Sequence, residues 1–153
     1  MKIRRFKNSD VDQIARLYHE TIRTVNSADY TRRQLEAWAP DDLYFRDWAK
    51  ECGSKYTVVA ETDGQVIGFA ELEDNGHIDC FFCHKDYQRM GVGQALYRAL
   101  EKYAERRGLE SLSADVSLTA RPFFSRMGFE LEKEQTVTTR GVKFINYLMT
   151  KML

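Results

Sequence analysis

The stretch Tyr87-Gln88-Arg89-Met90-Gly91-Val92-Gly93-Gln94 joins a β-rich segment to a helical one. A helix N-terminus has unpaired backbone N–H groups and partial positive charge. Glycines at that point remove the Cβ atoms that would hold an anion away from those donors. Such a turn is a cradle for phosphate, and Arg89 adds a full positive charge beside it. Two phosphate motifs fail here. A Rossmann fingerprint needs Gly or Ala at its last position and a parallel βαβ unit, whereas Leu96 stands there and a hairpin meander leads in. A Walker loop needs Gly-Lys-Ser/Thr, which is absent. The plain alternative is that the two glycines only shape a strand-to-helix turn.

Other reactive types lie just upstream. His77 accepts a proton near neutral pH without a large pKa shift. Asp79 could act as a base if burial raised it, or could anchor a water or a substrate ammonium. Strand alternation puts His77, Asp79, Phe81 and Cys83 on one face unless a bulge shifts the phase. Cys80 and Cys83 have the spacing of a metal or redox pair. Residues three apart on a strand point to opposite faces, and no second Cys/His pair completes a tetrahedral site. They read as core thiols, and no metal is expected.

The elements that position these groups follow from periodicity. Lys2 to Phe6 reads as an opening strand. Ser9 opens an amphipathic helix through Val11, Ile14, Ala15, Tyr18 and Ile22, with Asp12 in a loose capping box. Thr31 with Gln34 caps a short helix through Leu35 and Trp38, which Pro40 ends. Asp41 or Asp42 is expected to cap another, carrying Leu43, Phe45 and Trp48. Tyr56–Glu61, Gln65–Glu73 and His77–His84 form an antiparallel meander turning at Asp63-Gly64 and Asp74-Asn75-Gly76. A helix from Val92 to about Arg107 follows, with Gly108 at its C-terminal cap. Ser111–Val116 reads as a strand, Thr119–Arg126 as a short helix, and Phe129 onward as a hairpin turning near Arg140-Gly141.

The chain has 153 residues, enough for one domain with its own core. Lys plus Arg and Asp plus Glu each number 23, so the net charge is zero. That balance argues against broad nucleic-acid or membrane-surface binding. No apolar run is long enough to span a bilayer and no signal core follows the N-terminus. Three cysteines at irregular spacing fit a reduced, cytoplasmic chain.

Gln88-x-x-Gly91-x-Gly93, with Tyr87 before it and Gly128-Phe129 downstream, resembles the pyrophosphate loop and strand start of the GNAT superfamily of N-acetyltransferases. The element order also matches, so the resemblance covers nearly the whole chain. It implies an α/β (α+β) acyl-CoA N-acyltransferase fold whose mixed, mostly antiparallel sheet is flanked by helices. It implies direct transfer of acetyl from acetyl-CoA to the amine of a small molecule or peptide; a homodimer is compatible with it. The pantetheine arm of acetyl-CoA would meet Phe82, Cys83 and His84 between two splayed strands. The pyrophosphate would meet Gln88 and the backbone of Arg89, Met90, Gly91, Val92, Gly93 and Gln94.

Two positions depart from the family pattern. Ser117 replaces an Asn three residues before Ala120 that contacts the pantetheine arm. Phe124 replaces the Tyr that protonates the departing thiolate, four residues before Gly128. A phenyl ring has no proton to give, which supports a second reading of the chain as a catalytically silent acetyl-CoA sensor. A nucleotide-binding module is a more distant third. One branch of the family keeps a Glu base eleven residues before the motif Gln, and that position here is His77. In the family, the helical segment holding Tyr30, Trp38 and Trp48 forms one wall of the acceptor site. Tyr30 and Trp38 are therefore either substrate-binding residues or plain core packing.

Overall fold

The computed structural model describes residues 1–153. Its sheet has seven strands: β1 (Lys2–Arg5), β2 (Tyr56–Thr62), β3 (Gln65–Leu72), β4 (His77–Cys83), β5 (Ser111–Val116), β6 (Glu130–Thr139) and β7 (Val142–Met152). The spatial order is β1-β2-β3-β4-β5-β7-β6. Only β4 and β5 run parallel; every other pair is antiparallel. Asp63-Gly64 and Arg140-Gly141 both have positive φ at both residues and close two-residue hairpin turns.

Five helices flank the sheet: α1 (Val11–Thr24), α2 (Arg32–Trp38), α3 (Trp48–Gly53), α4 (Val92–Arg106) and α5 (Arg121–Arg126). The Thr31–Gln34 capping box forms in both directions, with each side chain bonded to the other's backbone N–H. The third helix differs from expectation. It starts at Trp48 and is capped by the Asp47 carboxylate, which accepts from Lys50 N–H. Residues 40–46 form turns instead, because the Asp42 carboxylate bonds the Tyr44 N–H two residues on, in an Asx turn.

The sheet carries a core on each face. Leu96, Tyr97 and Leu100 of α4 pack with Ile67, Ile78, Leu112 and Phe124 on one side. Ile14, Tyr18 and Ile22 of α1 pack with Trp48, Val59, Phe69 and Cys80 on the other. A bulge interrupts the β3–β4 ladder: Leu72 pairs with Ile78 but Ala70 pairs with Phe81, so Asp79 and Cys80 together oppose Glu71. This flips the strand's phase. Ile78 and Phe81 both join the α4 side, while Cys80 and Phe82 join the α1 side. The expectation that His77, Asp79, Phe81 and Cys83 share one face is therefore corrected. Cys80 and Cys83 do lie on opposite faces.

Candidate active site

Parallel pairing of β4 with β5 lasts for two residue pairs, His77 with Ser113 and Ile78 with Ala114. Beyond them the strands part. A cleft of about 890 Å³ opens there, lined by β4 from Ile78 to Cys83 and by Asp115, Val116 and Ser117. His84 N–H donates to Ile67 O on β3. Ladder alternation then turns the N–H and C=O groups of Phe81 and Cys83 away from β3, toward the gap. The Cys83 carbonyl accepts from Thr21 Oγ1 at 3.0 Å and Gln88 Nε2 at 2.9 Å. Gln88 thereby ties the glycine loop to the strand end.

The loop itself enters α4 through Gly91, whose φ of 82° is left-handed. A Cβ at Gly91 would meet nothing within 4 Å, so this glycine serves conformation rather than space. Arg89 also has positive φ, at 59°. The first α4 amides, of Val92, Gly93 and Gln94, precede the helix's own hydrogen bonding, whose first bond runs from Ala95 N–H to Gly91 O. They open onto the same cleft. At Gly93 space does matter: a Cβ there would lie 3.0 Å from the Phe123 ring and 3.6 Å from Cys83 Sγ.

The cleft brings together Tyr30, Trp38, Asp79, Phe82, Cys83, Gln88, Arg89, Gly91, Val92, Gly93, Gln94, Ser117 and Phe124. Three other candidates lie elsewhere. His77 is outside the lining, its Nδ1 2.9 Å from Ser113 Oγ and its Nε2 3.4 Å from Asp115. His84 turns toward Asp86, whose N–H it accepts, and Met90 is exposed. Asp79 lines the cleft while its Oδ2 contacts Lys55 at 2.9 Å and Arg46 at 3.3 Å. Ser117 Oγ accepts from Ala120 N–H, capping the turn before α5. Phe124 is buried, edge-on to Phe81, Phe123 and Phe129. Burial pushes the Cys83 thiol up to about 12 and also raises Cys52 and Cys80, so none of the three is a thiolate nucleophile near neutral pH.

Residues 26–151 match the family described as acetyltransferase (GNAT) domain. The chain belongs to the GNAT acetyltransferase family. An uncharacterized N-acetyltransferase of Escherichia coli K12, YafP, is 32% identical over 149 residues, covering 97% of this chain and 94% of that one. A GCN5-related N-acetyltransferase structure from Rhodopseudomonas palustris superposes with TM-score 0.93 at 34% identity, covering 99% of this chain and 95% of the other. The PaiA N-acetyltransferase of Thermoplasma acidophilum, solved with coenzyme A, shares the fold at TM-score 0.82 and 18% identity, covering 99% and 98%.

Several GNAT-cleft residues gave no clear signal in the sequence. Thr21 sits on the buried face of α1, and a polar residue amid Ile14, Tyr18 and Ile22 was the one available hint. Asn146 and Phe144 reach the cleft from β7, and nothing in their spacing marks them. Arg46, which lies outside the lining but bonds the cleft residue Asp79, comes from the turn region before α3, where no periodicity operates.

Proposed function

We propose that the protein transfers an acetyl group from acetyl-CoA to a primary amine by direct attack, without a covalent enzyme intermediate. The observation that carries this reading is the meeting of two features in one cleft. The β4–β5 ladder parts after two pairs, and the glycine-shaped start of α4 opens beside the gap. An extended thiol arm and its pyrophosphate need that combination of free strand edge and free helix amides. Bound acetyl-CoA supplies an activated thioester: the amine nitrogen bonds the acyl carbon as the C–S bond breaks, and one amine proton is lost as CoA leaves as thiol or thiolate.

This chain's residues divide that work. Arg89 and the first α4 amides hold the pyrophosphate, and Phe81 and Cys83 offer backbone groups to the arm. The attacking amine must first lose its ammonium proton. Asp79 is the proposed acceptor, directly or through water: it lines the cleft, and its Oδ1 has no protein partner. His77 would act only through the Ser113–Asp115 side of the sheet. Phe124, buried among rings, favours the second reading of a silent acetyl-CoA sensor.

Saturating acetyl-CoA at about 100 times its Kd should stabilise the fold by about 2.7 kcal/mol, read as a rise in Tm. NADH or ATP should give far less. An amine screen for CoA release then separates enzyme from sensor. In an active enzyme Asp79→Asn should lower the rate near neutral pH and recover at high pH. No thermal shift with acetyl-CoA overturns the proposal, and a shift with no turnover for any amine favours the sensor.

A further inference from the structure

A departing thiolate must gain a proton, and the cleft holds few groups that can give one. No histidine lines it, and its two carboxylates, Asp79 and Asp115, take hydrogen bonds rather than give them. The guanidinium groups of Arg89 and Arg126 do not release protons. The Cys80 thiol bonds Glu71, and Cys83 Sγ sits beside Gly93 at the start of α4. Three phenols remain in the lining: Tyr18, Tyr30 and Tyr87. The Tyr18 hydroxyl donates to Trp38 O at 3.1 Å, and that of Tyr87 donates to Gln65 Oε1 at 3.3 Å. Tyr30 accepts instead. Its oxygen takes the Leu118 N–H at 2.8 Å, and its own proton has no acceptor in the chain.

Leu118 lies just past the end of β5, so the Tyr30 oxygen stands at the free end of that strand, where it has parted from β4. The same loop is tied a second time, by Thr119 Oγ1 donating to Asp29 Oδ2 at 2.7 Å. Trp38 and Phe144 flank the Tyr30 ring, with centroids 5.3 and 6.2 Å away. These contacts fix the hydroxyl before any ligand arrives, which is the condition for electrostatic preorganisation. Burial raises the phenol above its ordinary value, against the pull of the Leu118 N–H and the Ser117 hydroxyl; Asp29 and Tyr147 also raise it. The net shift is upward, so the proton stays on oxygen near neutral pH. After donation, the Leu118 N–H steadies the phenolate that is left.

Resting on the acetyltransferase reading above, we propose that Tyr30 is the proton donor to the CoA sulfur. As the amine nitrogen bonds the acyl carbon, the C–S electron pair passes to sulfur and the Tyr30 O–H proton follows it. The phenolate regains a proton, through water, from the nitrogen that has become the amide, so no further reactant is consumed. Phe124, a buried ring with no proton to give, then needs no acidic role.

The contact is read without turnover, in protein loaded with CoA, by the ultraviolet absorbance of the thiolate. Cys52, Cys80 and Cys83 are all raised by burial and stay protonated at about pH 8, so the signal there belongs to the ligand. Tyr30→Phe keeps the ring and removes a hydrogen bond to the charged form. It should cut the thiolate-to-thiol ratio of bound CoA about ten-fold. Thr119→Val loosens the same loop without touching the phenol, and should leave that ratio unchanged. With an amine that gives turnover, Tyr30→Phe should lower kcat about 10²–10⁴-fold while the acetyl-CoA thermal shift persists. Equal ratios in wild type and Tyr30→Phe, an equal fall in Thr119→Val, or an unchanged kcat overturns the proposal. A ratio that depends on Tyr30 in a protein that acetylates no amine contradicts the acyl-transfer reading and leaves the proton donor in place.

Discussion

Glu71 has no exposed surface, yet it is a carboxylate on β3. Its oxygens take both Arg46 nitrogens, at 2.9 and 3.2 Å, and Cys52 Sγ at 3.2 Å. The same guanidinium reaches Asp79 at 3.3 Å, so one side chain from the turn region latches two strands and the cleft wall. Breaking a buried pair by removing one partner typically costs about 3–5 kcal/mol, because the other charge stays buried and alone. Lys55 Nζ stays 3.9 Å from Glu71, so Arg46→Met should fall toward the low end of that range in urea unfolding. Replacing both, as Arg46→Met with Glu71→Leu, should recover most of the loss, and failure to recover would mean Asp79 is the more important partner. This cluster was not legible in the sequence. An Arg in an aperiodic turn carries no pattern, and Glu71 falls in a run, Val66 to Leu72, whose other residues are apolar. The glycine loop was legible because its chemistry is local: left-handed Gly91 and the amides after it are set by neighbours in sequence.

At the level of elements, the meander and all three Gly-containing hairpin turns follow from alternation and turn chemistry, and the structure has them. The β4 bulge does not follow, since one extra residue leaves no mark on a run such as His77-Ile-Asp-Cys-Phe-Phe-Cys83. It nonetheless decides the site, because it sends Asp79 and Cys80 to the α1 side and Phe81 to the α4 side. Close packing of α4 over the meander is the other hidden constraint. A Cβ on Gly68 of β3 would lie 2.9 Å from both Leu96 Cδ1 and Val92 Cγ1, and 3.2 Å from the Phe82 carbonyl. Leu96 and Val92 are buried, so neither side chain swings into open space. Gly68→Ala should therefore push α4 off the sheet and cost about 1–3 kcal/mol. Val92 opens the helix that carries the loop amides, so acetyl-CoA binding should weaken as well. Urea unfolding and calorimetry on the same variant check both effects; unchanged stability would show that the helix yields freely.

For the whole molecule, one sheet carries two cores, and ionic ties link α1 to the edge strand β1 and α4 to β7, next to the opposite edge. Asp10, at the start of α1, accepts two bonds from Arg4 of β1 and one from Lys7 N–H. Burial raises its pKa, but these bonds outweigh burial and the net shift is downward from 3.8. Glu101 of α4 is bonded by Lys151 of β7 and by the Tyr97 hydroxyl. Burial again opposes, and the net shift is downward from 4.5. His19, on α1, is lowered from 6.5 by burial and then by Arg23. All three groups bind protons less readily folded than unfolded, so each contributes stability above its unfolded pKa and loses it as pH falls through the folded one. Two descending limbs should result. A shallow one begins below about pH 6.5 and belongs to His19, whose Nε2 is buried without a partner. A steeper one begins below about pH 4.5 and belongs to Glu101 and Asp10. His19→Gln should flatten the first limb alone, whereas Glu101→Gln and Asp10→Asn should lower neutral-pH stability and shrink the second. Tm measured from pH 7 to pH 3 checks the assignment. A second limb that persists in the Asp10→Asn, Glu101→Gln double variant would place the acid sensitivity in Glu51 or Glu61, the other carboxylates lowered by ion pairing.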